Sequence, residues 1–377
     1  MGKVTLLVES SEDKKNKKLD KDIQKLFDYP ILNINPYMIL KFNIKNNRIS
    51  PAKRRYDIIS FFFTFITNAL CIYRLFTVDF TTVATSTVNK LVVVPARCYP
   101  MITIFALTVT FILSFVHKHN IVSFLLKIET LNRSINIKKD IKPFVLWNRV
   151  YIAMVFIMNI FILGMFYSTF AYLGTNDRIL DCFNDIVCVL TDINSIMSIR
   201  MIVLLRKYVD EWIKMLLELK QERRNYEKCV SLFETYEEIL AAHDLYKTIF
   251  QTVILFLASF YIFLRSMCNV FISVEFSWTI ATFLLLSKNI LLIVVQSACC
   301  EKFQMSIEEV ESACIILMKN RNCPESQKRL CKNILRRNES FSKMSACGLF
   351  YVDAVLPMAL AEVISKYIIA ILQFLFL

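Results

Sequence analysis

Seven apolar segments, each near the length of a bilayer-spanning helix, divide this 377-residue chain. They cover about 56–76, 91–116, 144–170, 180–205, 249–272, 276–298 and 347–377. A helix rises about 1.5 Å per residue, so roughly twenty apolar residues cross the hydrocarbon core of a bilayer, about 30 Å thick. A soluble chain of this length can bury a large core without such repeated runs. The balance of 56% hydrophobic and 13% aromatic residues, with only 4 Gly and 8 Pro, fits the membrane solution. The expected fold is all-α, a polytopic seven-transmembrane helical bundle.

The net charge of +13 invites a nucleic-acid partner, but the cations lie in the segments between spans, where basic residues orient a membrane protein. Lys plus Arg number 13 in residues 1–55, then 6, 8 and 9 in 117–143, 206–248 and 299–346, while the alternate loops carry almost none. The chain is therefore expected to have a cytosolic N-terminus and an extracellular C-terminus, in a plasma-membrane setting with lipid as a partner and no nucleic acid. With an odd number of spans this is the inverse of a G-protein-coupled receptor. The Lys-rich start shows no cleavable signal peptide, and the first span is expected to act as a signal anchor. The sequons at Asn132 and Asn338 fall on the cytosolic side and are expected to stay unglycosylated.

The divisions follow. Residues 1–55 form a cytosolic N-terminal tail; 56–205 hold spans one to four; 206–248 are a cytosolic helical extension with apolar residues returning at steps of three and four; 249–298 hold spans five and six; 299–346 are a second charged helical segment; and 347–377 form span seven. The second charged segment is expected to turn at Asn322 to Ser326, and Pro95 and Pro100 to kink the first turns of span two. As one helix, Cys347 to Leu377 reaches about 45 Å and projects beyond the bilayer at one end. On it Glu362, Lys366 and Gln373 share a stripe, which must face water or protein because lipid would leave those groups unsatisfied.

Ionisable and aromatic residues inside spans three to six are candidates for a ligand pocket. Span four is the most polar, with Asp185, Asp192, Asn194 and Arg200, and is expected to be buried among other helices. Asp192 and Arg265 both fall in the outer half of the membrane, where two roles stand open: ligand contacts, or a structural ion pair with each other. Trp278, Tyr261, Phe170 and Tyr172 offer stacking surface at similar depth, against the alternative of interface anchors or packing. Lys288, in the middle of span six, has no evident partner. Of 12 Cys, most lie in spans or on the cytosolic side, and the six-residue spacing of Cys182 and Cys188 does not favour a bridge. Cys299 and Cys300 read as palmitoylation sites or as packing. No phosphate loop, zinc spacing or catalytic triad occurs, so neither an enzyme, a metal site nor a cofactor is expected.

The segment YIIAILQF at Tyr367 to Phe374 resembles the closing TYhhhhhQF signature of insect gustatory receptors, and ACGLFYVD at Ala346 to Asp353 resembles the segment that enters their last helix. Span count, orientation and length agree over the whole chain, while the Thr preceding the Tyr in that signature is Lys366 here. The resemblance implies a ligand-gated, non-selective cation channel of chemosensory neurons. It implies a homo- or heterotetramer with related receptor subunits, span seven lining the pore and the cytosolic extensions packing as an anchor domain. Gln373 and Phe374 then form the extracellular gate, with Tyr367 behind the pore wall. A ring of Phe closes a pore by dewetting, and Gln amides meet hydrated cations when it widens. Lys366 places four ammonium groups where permeating cations least tolerate them; three resolutions stand open: Glu362, one turn earlier, cancels their field, Lys366 turns toward a neighbouring helix, or the receptor conducts poorly without a partner subunit.

The expected ligand is a small-molecule tastant. Sugar receptors of this family carry an acidic residue after the signature Tyr, whereas Ile368 stands here, which favours a bitter or plant secondary compound over a fructose-type sugar. An odorant-receptor-type channel, a G-protein-coupled receptor and a secondary transporter are the remaining alternatives. The last is opposed by the scarcity of Gly and the lack of a visible inverted repeat.

Overall fold

A computed structural model describes residues 42–45, 48–51, 53–77, 101, 104–135, 137–173, 178–219, 226–271, 276–321 and 323–376. Within helices, side chains of 166–173, 178–191, 259–271 and 276–282 and most of 367–376 lie outside the described residues. Residues 1–41, Pro95 and Pro100 also lie outside them.

A hairpin precedes the first helix: β1 (Phe42–Lys45) pairs antiparallel with β2 (Arg48–Pro51), in register Phe42↔Pro51 and Ile44↔Ile49. The all-α expectation thus needs this small correction. The helix α1 (Arg54–Thr77) follows. Its outward side carries Phe61, Phe62, Phe65 and Tyr73, whereas Ser60, Thr64, Thr67 and Cys71 are buried. Apolar residues outside and small hydroxyl-bearing residues inside is the pattern of a helix bathed in lipid. Asn68 donates from Nδ2 to the Thr108 hydroxyl at 2.9 Å, joining α1 to α2 (Ile104–Val116).

The segment 117–143, expected as a loop, is largely helical. After a bend of 63° beyond Val116 the chain continues as α3 (Lys118–Ser134), which buries Ile121, Phe124, Leu125, Ile128 and Leu131. Those residues recur at three- and four-residue steps, and polar neighbours hid the stripe from a hydropathy window. Lys118 ties α3 back to Asp57 on α1 at 2.6 Å, and Lys127 to Glu238 on α6 (Tyr226–Phe271) at 2.7 Å.

The helix α4 (Lys138–Leu173) shows Leu146, Met154, Ile157 and Phe161 to the outside and buries Phe144, Asn148, Ile152 and Asn159. α5 (Arg178–Leu217) is the hub: every residue from Asp192 to Ile202 is buried, and the helix packs on α4, α6 and α7 (Phe276–Lys319). This agrees with the burial expected of the most polar span. α6 ends at Phe271 and α7 begins at Phe276, and both helices run without a break from their apolar halves into their charged halves.

In the charged halves Trp212, Tyr208, Tyr236 and Phe303 are fully buried. The Trp212 indole donates to the Leu232 carbonyl at 2.9 Å and its ring lies 4.8 Å from that of Tyr236. Tyr236 in turn donates its hydroxyl proton to Asn338 Oδ1 at 2.6 Å, on α8 (Glu325–Asn338). Each large ring removes about 150–250 Å² from water, so a few of them anchor a packed unit. α7 ends at Lys319 and α8 begins at Glu325, so the break falls earlier than the expected turn, whose Glu325 and Ser326 already belong to α8.

The last helix is shorter than its apolar sequence. Residues 347–355 form a turn in which Cys347 (φ 52°) and Gly348 (φ 78°) adopt left-handed backbone and Ser345 bridges to Tyr351. α9 then covers Leu356–Phe376, 21 residues, about 30 Å at 1.5 Å each. It therefore matches the hydrocarbon core and does not project as the expected helix from Cys347 would.

Among the described residues, three helices are long and apolar enough to cross a membrane, at Arg54–Tyr73, Ile141–Ile162 and Phe283–Lys319, and a fourth if the bent α2–α3 pair is one span.

Candidate functional site: a buried ion pair and an exposed polar stripe

Two polar features stand out against the apolar framework. The first lies where α4, α5 and α7 meet. Lys288 Nζ approaches Asp192 Oδ2 at 2.5 Å, with both side chains almost fully buried. Asn159 completes the group, donating from Nδ2 to Asp192 Oδ2 at 3.0 Å and accepting from Lys288 Nζ at Oδ1, also 3.0 Å. The Asn amide thus presents its donor to the carboxylate and its acceptor to the ammonium. This geometry offsets part of the desolvation cost of two buried charges, which Coulomb attraction alone does not reliably repay.

From sequence Asp192 stands open between a ligand contact and an ion pair with Arg265; in the structure it holds Lys288, for which the sequence offers no evident partner. The two helices run parallel, so position 192 lies beside 288 just as Asp210 lies beside Ser306 further along both. Of the other pocket candidates, the side chains of Arg265, Trp278, Tyr261, Phe170 and Tyr172 lie outside the described residues. Asn159 was missed, although its signal was there: it is a carboxamide set in the middle of a span, flanked by otherwise apolar residues, where lipid would not tolerate it.

Along α5 and α7 from the triad, a second polar contact set joins these two helices to α6. Tyr246 OH lies 2.9 Å from Ser198 Oγ and accepts from Gln296 Nε2 at 2.9 Å, all three residues being buried. Further on, His243 stacks on Phe303 at 4.6 Å and sits 5.2 Å from the ring of Phe341, in the stretch between α8 and α9. Its burial, aided by Lys247, lowers the imidazole pKa to about 3.

The second feature is α9. Leu356 and Leu360 seat its first turns against α6 and α7, but beyond them the described residues of the helix are exposed. Glu362, Lys366, Ile369 and Gln373 fall on one stripe, and all four are exposed. Lys366 Nζ meets Glu362 Oε1 at 2.7 Å, the pairing expected from their spacing, with side chains 73% and 67% exposed. The side chains of Tyr367 and Phe374 lie outside the described residues. A helix of mostly apolar residues that turns an ion pair and a carboxamide outward cannot rest that face on lipid.

No protein-family model matches the sequence, and no curated protein matches it. Solved structures do. The insect olfactory receptor OR5 from Machilis hrabei superposes with a TM-score of 0.64 at 11% identity, covering 85% of this chain and 89% of that one. The same receptor in complex with eugenol gives 0.61 at 12% identity, covering 90% and 97%. The fold is that of an insect olfactory receptor. At this identity the likeness shows the architecture alone, and it extends over nearly the full length of both chains. Within that architecture the triad joins three helices of the bundle, and α9 closes the chain as a helix with its polar stripe exposed.

Proposed function

We propose that this chain is a subunit of a ligand-gated chemoreceptor channel of the gustatory type, with seven spans, a cytosolic N-terminus and an extracellular C-terminus in the plasma membrane of chemosensory neurons. The observation that carries this is the α9 stripe. A spanning helix that exposes Glu362, Lys366 and Gln373 needs other protein or water against it, and four copies arranged around an axis supply both. The olfactory-receptor fold and the gustatory-like YIIAILQF segment support the same assignment. Gln373 and Phe374 then gate a cation path, and Tyr367 packs behind it.

The charged halves of α5 to α8 hold the subunits together as an anchor domain. In the bundle's outer half Asp192, with Arg265, Trp278, Tyr261, Phe170 and Tyr172, surrounds a small-molecule tastant, a bitter or plant secondary compound before a sugar. A second assignment, an odorant-type channel, is favoured by the solved neighbour, an olfactory receptor whose complex holds eugenol.

Whole-cell recording tests the proposal. Cells expressing the chain, alone or with a related subunit, are expected to give compound-evoked cation current that persists when G-protein signalling is blocked. Current that disappears with the block overturns it, as does substrate uptake without current.

A further inference from the structure

A group of cations gathers at one end of the apolar part of the bundle. Arg200 lies on α5, two helical turns from Asp192, with its guanidinium 4.1 Å from the centre of the Phe144 ring and 5.4 Å from that of Tyr151. Its Nη2 donates to the Phe144 carbonyl at 3.1 Å. Lys207, two turns further along α5, reaches the same Phe144 ring at 5.7 Å. Arg206 meets Asp210 at 3.7 Å, and Asp210 accepts from Ser306 of the neighbouring α7, one turn beyond Lys302. Four cations from two helices therefore share one locality, which Asp210 answers only in part.

The surroundings mark this locality as a membrane boundary. Trp147 and Tyr151 of α4 are 56% and 45% exposed, and their rings lie 6.0 Å apart. Exposed Trp and Tyr concentrate at the level of lipid headgroups. Beyond them α4 turns Met154, Ile157 and Phe161 outward, side chains suited to acyl chains. Arg200 thus lies among rings at the boundary, while Lys207, Arg206 and Lys302 extend from it away from the apolar half. Basic groups between spanning helices at this level match the phosphate of an anionic headgroup in charge and depth.

We propose that this basic face of α4, α5 and α7 binds the phosphorylated headgroup of an anionic phospholipid. Lys207 meets the phosphate nearest the acyl chains, with Arg200 buried behind it against Phe144 and Tyr151 and adding to the positive field, and Arg206 and Lys302 meet phosphates carried further into water. The acyl chains lie along the outward face of α4. A lipid held there bridges the helices of the ion-pair triad to the charged halves of α5 and α7. The site rests on the membrane placement and orientation proposed above, because anionic lipids are concentrated in the cytosolic leaflet.

Native mass spectrometry of the full chain in detergent, titrated with phosphatidylinositol 4,5-bisphosphate and separately with phosphatidylcholine, tests this without gating or ligand. The inositol lipid is expected to be retained at least about tenfold more strongly. Arg200→Gln and Lys207→Gln should each weaken it about fivefold, the effect of one basic residue near an anionic surface. Exposed Lys302→Gln serves where Arg200→Gln fails to fold, while Lys127→Gln, whose side chain pairs with Glu238 elsewhere, should leave retention unchanged. Equal retention of both lipids, or variants that hold the inositol lipid as wild type does, overturns the site. Full competition by soluble inositol trisphosphate at the lipid's own concentration overturns its assignment to a membrane lipid. Because binding is read apart from current, a silent channel that keeps this preference separates failure of the channel proposal from failure of the site.

Discussion

At the scale of single residues, the triad of Asp192, Lys288 and Asn159 sets the strongest constraint, because two unlike charges share a dry interior. Removing one charge strands the other, a loss that costs about 3–5 kcal/mol where it has been measured in buried pairs. Asp192→Asn and Lys288→Met should each lower the thermal midpoint of the purified protein steeply, and the double variant should recover part of the loss. A double variant no better than the sum of the two would mean that the pair is not coupled. His243, in the charged half of α6, offers a pH test. Its folded pKa of about 3 lies below the ordinary 6.5, so the unfolded chain binds a proton that the folded chain refuses. This contribution to stability is complete above pH 6.5 and is lost progressively as pH falls towards 3. The melting temperature should therefore fall between pH 7.5 and 5.5, and His243→Phe, which keeps a ring against Phe303 and Phe341, should shrink that fall. An unchanged pH dependence in the variant would assign the acid sensitivity to other groups.

At the scale of elements, α9 concentrates the functional question. The Lys366–Glu362 contact is solvent-facing and alone is worth little in stability, so its consequence belongs to the field along the helix. Lys366→Thr should leave assembly intact by size-exclusion chromatography and raise cation current, whereas Glu362→Gln, which leaves the ammonium uncompensated, should lower it. Identical currents in both variants would remove this stripe from the ion path. The element also shows what sequence could and could not deliver. The polar stripe and its ion pair followed from residue spacing alone, because side chains four apart on a helix are neighbours. The start of the helix did not. Residues 347–355 are apolar enough to read as span, yet Cys347 and Gly348 take left-handed backbone that breaks the helix, and hydropathy carries no dihedral information. For the same reason α3 was read as loop: its buried stripe of Ile121, Phe124, Leu125 and Ile128 averages out against polar neighbours. The partner of Asp192 was illegible because contacts between α5 and α7 depend on register between distant segments, which one sequence does not report.

At the scale of the whole molecule, the order of long helices was legible because each apolar run is individually long enough to demand a hydrocarbon environment, while the small hairpin β1–β2 was not, being two short strands of mixed character. Orientation rests on charge. The basic segments 1–55, 117–143, 206–248 and 299–346 fall between alternate spans, and translocating them would cost more than translocating the nearly uncharged alternate loops. The seven proposed spans would put the two ends of the chain on opposite sides. An epitope fused before Met1 should be reached by antibody only after permeabilisation, and one fused after Leu377 should stain intact cells. The sequons supply an independent check, since Asn132 and Asn338 lie on basic segments and are also buried, at 4% and 6% exposure. Glycosidase treatment should therefore leave the protein's electrophoretic mobility unchanged. Surface staining of the N-terminal epitope, or a mobility shift traced to either Asn, would invert the bundle and move the basic face around Arg200 to the extracellular leaflet, where anionic lipid is scarce.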